Sequence, residues 1–201
     1  MNLEENIGLF SFFMRNMILF DKKRHSSTFL YGLISSTYFY MWKGGCVYMN
    51  NYIVNDDVLC FTSVNDGNET FLIERDNEIN LDVNSFELIK RSCKFYGNSY
   101  KIQRQFIIDV FNYYIKTPIV ISPYCMLIFF PTTAPNSNKC IWISYNNIDR
   151  YVKEDGFTRI YFSGGKEINI DVSYATIDSQ ITKCIKIEKY LKCIMRKALD
   201  K

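Results

Sequence analysis

Residues 158–170 read TRIYFSGGKEINI, two runs of alternating apolar and polar side chains on either side of Gly164-Gly165. A period of two sends successive side chains to opposite faces of a strand, and a Gly-Gly pair supplies the backbone freedom that a tight hairpin turn needs. That pattern does not suit a helix, so this stretch predicts an antiparallel hairpin. Similar runs precede it. PIVISP (118–123) and MLIFFP (126–131) are apolar and closed by Pro118, Pro123 and Pro131, which suits buried strands, and CIWISY (140–145) and IDRYVKE (148–154) follow. Further upstream, YIVNDDVLCF (52–61), with a turn at Asn55-Asp56, and ETFLIERD (69–76), behind the turn signal Asn65-Asp66-Gly67-Asn68, predict another hairpin.

Two stretches change period. In residues 84–96, NSFELIKRSCKFY, the side chains Phe86, Ile89 or Lys90, and Cys93 recur at helical spacing, with Asn84 or Ser85 as N-cap and Gly97 as stop. In residues 176–199 Ile177, Ile181, Cys184/Ile185, Leu191, Ile194/Met195 and Ala198/Leu199 share one face, as in an amphipathic helix. The class predicted is α+β: a mainly antiparallel sheet with one short internal helix and a C-terminal amphipathic helix. Strands closed by one such helix also suit a pleckstrin-homology-like roll.

With 201 residues, 48% of them hydrophobic, the chain has enough apolar side chains for one domain with a core. Its seven cysteines (46, 60, 93, 125, 140, 184, 193) include no C-x-x-C pair and read as reduced thiols, most of them small buried hydrophobes. His25 is the single histidine. Catalysis by Ser/His or Cys/His pairs and histidine-based metal sites need a placed imidazole, and no phosphate-cradling glycine motif is present. The reading is therefore a protein that is not an enzyme and has neither cofactor nor metal.

Charge is segregated. Residues 49–89 hold one Arg against nine acids, a net −8, whereas residues 90–116 hold six Lys/Arg against Asp109 alone, a net +5. The basic segment contains RSCKFYGNSYKIQRQ (91–105), in which cations, amides and hydroxyls stand together. Such groups bind phosphate, and each phosphate neutralised releases counterions. The candidate contact set is Lys90, Arg91, Lys94, Asn98, Ser99, Lys101 and Arg104, spanning the helix end and the Gly97 loop. Phe95 and Tyr96, beside Cys93, read as core. The last helix carries Lys183, Lys186, Lys189, Lys192, Arg196 and Lys197, which read as a solvated face or as a second phosphate contact or dimer face.

Residues 1–48 differ from the rest, with two apolar runs around the cluster Asp21-Lys-Lys-Arg-His25. The second, at 26–42, is uncharged for 17 residues. A membrane anchor, a dispensable extension, and upstream reading frame before a natural start at Met49 are the three readings. The last is favoured, leaving 49–201 as one domain.

Taken together, RSCKFYGNSY (91–100), Lys116-Thr-Pro118-Ile-Val, IFFPT (128–132), Cys140 with IWIS, and FSGGKEINIDVSYATIDSQ (162–180) resemble the ComK family of competence transcription factors. The resemblance implies a cytoplasmic activator of DNA-uptake genes in genetic transformation. Such a protein binds double-stranded A·T-rich promoter boxes as a dimer or pair of dimers and acts on RNA polymerase only indirectly. In such boxes the narrow minor groove has enhanced negative potential, so recognition by shape is expected. The chain departs from the family's pattern at Gln103-Arg104, where an Arg-Lys pair is usual, and it stops at Lys201, where longer relatives continue. The competing readings are a pleckstrin-homology-like protein-interaction module and a degenerate paralogue that modulates an intact relative.

Overall fold

The described residues of the chain, in a computed structural model, are 52–199. Their first hairpin depends on a turn that few residue types can make. β1 (Val58–Val64) and β2 (Glu69–Glu74) are antiparallel neighbours joined through Asn65, Asp66 and Gly67, with φ of 48°, 55° and 90°. Gly, and to a lesser extent Asn and Asp, tolerate this left-handed region. Two amide side chains hold the turn: Asn138 Nδ2 donates to the Asp66 carbonyl at 2.9 Å, and Asn84 Nδ2 to the Gly67 carbonyl at 2.6 Å. The hairpin expected from 52–61 and 69–76 is thus present over 58–74, while Tyr52 and Val54, read as strand, lie buried as irregular chain.

β3 (Glu78–Leu81) extends β2, and β4 (Ile119–Ser122), β5 (Leu127–Pro131) and β6 (Ile141–Ser144) complete a six-stranded antiparallel sheet in the order β3-β2-β1-β6-β5-β4. Every residue of β4 and β5 is buried, as their unbroken apolar runs require. β4 lies at the sheet edge and is still covered, because two helices, α1 (Ser85–Phe95) and α2 (Tyr100–Phe111), pack against it. At the core, the Phe61 ring lies 5.6 Å from that of Phe129 and 6.4 Å from that of Trp142. Burying each phenylalanine contributes about 1.5–3 kcal/mol.

The second sheet is a meander of β7 (Ile148–Lys153), β8 (Thr158–Phe162) and β9 (Glu167–Ile170). β8 and β9 form the hairpin read from TRIYFSGGKEINI, with Gly164 and Gly165 at φ of 99° and 89°. Thr158, Ile160 and Phe162 alternate inward along β8. α3 (Tyr174–Leu199) follows, and its buried stripe is Ile177, Ile181, Cys184, Ile187 and Leu191. Ile185 faces outward, 49% exposed.

The described residues are therefore α+β with antiparallel sheets and a C-terminal helix, and they contain one helix more than the sequence suggested. α2 was hidden because its inward stripe begins with a polar residue: Gln103, Phe106 and Ile107 are buried, while the apolar Ile102 is 58% exposed. The pairing of β1 with β6 and the two helices between β3 and β4 differ from a simple succession of strands closed by one helix. Cys60, Cys93, Cys140 and Cys184 are buried as expected, and Cys125 is exposed. Burial pushes the Cys60 and Cys93 thiols up to about 12 and Cys140 to about 11. No helix among the described residues is long and apolar enough to cross a membrane. The readings for 1–48, including His25, fall outside them.

Candidate nucleic-acid interface

The basic segment folds as two helices joined by a four-residue turn, Tyr96 to Ser99. α1 begins at Asn84, whose Oδ1 accepts from the Phe86 amide at 2.8 Å, satisfying one of the first-turn donors. It ends at Gly97 (φ 75°), where the Asn98 amide returns to the Cys93 carbonyl at 2.9 Å. Both ends match the signals in the sequence. α2 starts at Ser99 without a side-chain cap and closes at Asn112, in the left-handed region at φ 58°.

α1 is fastened to the irregular chain before β1. Ser92 Oγ accepts from the Val54 amide at 3.0 Å and donates to the Leu88 carbonyl at 2.8 Å, while Arg91 Nη2 donates to the Tyr52 carbonyl at 2.8 Å. Tyr96 adds a hydroxyl bond to the Val54 carbonyl at 3.2 Å. α2 is tied at its other end, where Arg104 Nη2 donates to the Tyr114 carbonyl at 3.2 Å. Two rings close the gap between the helices, Phe86 against the edge of Tyr100 with centroids 5.0 Å apart.

The seven residues singled out from the sequence therefore separate into groups. Arg91 and Arg104 hold backbone carbonyls and position the helices. Lys90 pairs with Glu87 at 2.5 Å and lies 5.0 Å from the Phe86 ring, but both charged groups stay partly exposed to solvent. A surface pair of this kind is worth about 0–1 kcal/mol, so a phosphate can displace it. Lys94 and Lys101 are exposed and form no ion pair among the described residues. Asn98 Oδ1 accepts from the Ser99 amide at 3.2 Å, and both side chains lie half-buried at the turn.

Two residues correct the sequence reading. Phe95 is 61% exposed rather than core, because a residue two positions after buried Cys93 falls on the other side of the helix. Gln103 is 1% exposed, so a difference at this position acts on packing and not on surface charge. Residues 90–108 contain no acid, and the exposed Phe95 and Ile102 stand in sequence beside Lys94 and Lys101. The surface can neutralise phosphates and present apolar groups, and it offers no acid–base or nucleophilic pair.

The family described as ComK protein matches residues 49–196 of this sequence. The chain belongs to the ComK family. A relative named Competence transcription factor, from Bacillus subtilis (strain 168), is 28% identical over 111 residues. Those residues are 55% of this ComK-family chain and 58% of the relative, so under two thirds of the relative's length is spanned. No solved structure matches. The ComK match encompasses α1, the turn and α2 in full.

Proposed function

We propose that this ComK-family chain is a DNA-binding transcriptional regulator, an activator of competence genes that acts in the cytoplasm on A·T-rich promoter DNA as a dimer or pair of dimers. RNA polymerase is then engaged only through the promoter complex. Family membership supports the regulatory role. The observation that carries the site is the acid-free run of residues 90–108 across α1, the turn and α2, in which Lys94 and Lys101 stand exposed. In this reading Lys90, Lys94 and Lys101 neutralise phosphates, Arg91 and Arg104 brace the two helices, and Asn98 and Ser99 line the turn that approaches the groove.

Three phosphate contacts give a slope of log K against log salt of about −3. Five would have given −4 to −5, so the slope itself distinguishes bracing arginines from contacting ones. The test is a mobility-shift titration of the full chain on an A·T-rich promoter fragment and on a G·C-rich fragment of equal length, at two salt concentrations. Lys94→Glu with Lys101→Glu is expected to abolish binding while leaving the far-UV spectrum and thermal midpoint unchanged. Normal binding by that double variant would remove the surface from consideration.

A further inference from the structure

Beyond α2, the linker to β4 is held by side chains from two helices. Arg104 of α2 donates to the Tyr114 carbonyl, and from α3 Lys183 Nζ donates to the Ile115 carbonyl at 2.9 Å and Gln180 Nε2 to the Lys116 carbonyl at 2.8 Å. Three successive carbonyls are thus fixed. Lys116 itself is forced to φ 48°, a left-handed conformation that a lysine adopts only when its surroundings over-determine it. Gln180, 1% exposed, also donates to the Pro131 carbonyl at 2.7 Å, which locks the linker to β5.

The linker and α3 border an open surface depression of about 310 Å³ lined by Lys116, Ala175, Thr176, Ser179, Gln180 and Lys183. Two ammonium groups converge there without a carboxylate in the lining. Lys183 is half-buried, and burial lowers its affinity for a proton, with the charge of Lys116 acting in the same direction. Like charges gathered in a concave site repel one another until an anion enters. Donors come from both walls: Lys116 and Ser179, Lys183 with two N–H groups beyond its bond to the Ile115 carbonyl, and Thr176, whose hydroxyl lies 3.0 Å from Ser173 Oγ and can rotate from it. That arrangement suits a tetrahedral, multiply charged oxyanion better than a flat carboxylate, which the planar fork of arginine matches.

We propose that the cleft between Lys116 and α3 is a phosphate-binding site, separate from the α1–turn–α2 surface, in which Lys116, Lys183, Thr176 and Ser179 hold one phosphoryl group. That group is a backbone phosphodiester of bound DNA or a free phosphate. The first source rests on the DNA-binding reading above; the second does not.

The test uses the full chain and two substitutions. Ser179→Glu places a carboxylate in the cleft at an exposed position with no structural bond to lose, and Lys116→Gln with Lys183→Gln removes both charges. Inorganic phosphate is titrated against chloride at equal ionic strength while the thermal midpoint is followed. Phosphate is expected to raise the midpoint of the wild type and to leave both variants unmoved, with Ser179→Glu at least as stable as the wild type in its absence. On A·T-rich DNA, a variant salt slope shallower by about 0.9, with the preference over G·C-rich DNA retained, identifies a DNA phosphate as the occupant. An unchanged slope with the phosphate response lost identifies free phosphate. If the wild type responds to neither phosphate nor these substitutions in DNA binding, the site is refuted. If it binds no DNA at all, the regulatory reading fails and the phosphate titration still decides this one.

Discussion

α1 and α2 are neighbours of 11 and 12 residues on the same strand, β4, and they are held in different ways. α1 has a side-chain cap, a glycine stop and three side chains fastened to residues 52–54. α2 has no side-chain cap, buries Gln103 with an Oε1 that finds no partner among the described residues, and is tied by Arg104 at its far end. The two walls of the proposed binding surface are therefore fastened differently, and the fewer fastenings of α2 predict that it opens more readily than α1.

The largest effects test this difference directly. Leu88 in α1 and Ile107 in α2 are both 0% exposed. Replacing either by Ala costs about 2–5 kcal/mol, and the cost is smaller where the surroundings can relax. Urea unfolding is expected to place Leu88→Ala near the upper bound and Ile107→Ala near the lower; equal costs would show the two helices to be equally rigid. Next, Gln103→Leu removes an unsatisfied buried acceptor and is expected to raise stability by about 1–2 kcal/mol. DNA affinity should not change with it, since Gln103 does not reach the surface; a fall in affinity would add that residue to the contact set.

Smaller effects sharpen the contrast at the helix starts. Asn84→Ala should cost about 1 kcal/mol through the capping bond, and more through its bond to the Gly67 carbonyl, and Ser99→Ala a few tenths, because Ser99 makes no capping bond. Alkaline pH separates the helices again. Burial raises Cys93 in α1 from 9.0 to about 12, and burial, partly offset by Arg104, raises Tyr100 in α2 from 10.0 to about 12. A raised acid keeps its proton in the folded state while the unfolded chain loses it, so stability falls as pH rises above the unfolded value. Unfolding midpoints measured from pH 8 upward should show Cys93→Ala removing loss that sets in near 9.0, and Tyr100→Phe removing loss that sets in near 10.0.

How far these elements could be read in advance follows from the same details. α1 was legible because Asn84 and Gly97 mark its ends and Ile89 and Cys93 its inner face. α2 was not, since a glutamine holds a core position and an isoleucine an outer one. β4, β5 and β8 were legible from proline boundaries and alternation, whereas β3 buries only Leu81 and leaves no pattern. The basic character of the site was visible in the residue order. Which cations are engaged was not, because carbonyl partners such as Tyr52 for Arg91 and Tyr114 for Arg104 lie 39 and 10 residues away.

The fixing of Tyr114, Ile115 and Lys116 also bears on the order in which the chain assembles. Gln180 and Lys183 lie 64 and 68 residues beyond the carbonyls they hold, so two of the three fastenings await the synthesis of α3. During translation the α1–α2 pair can form from local contacts, with the linker behind it still loose, and long-range closure comes last. A chain interrupted before α3 would display the basic helices on an unsecured hinge, and α3 acts as the bolt that secures the proposed binding surface.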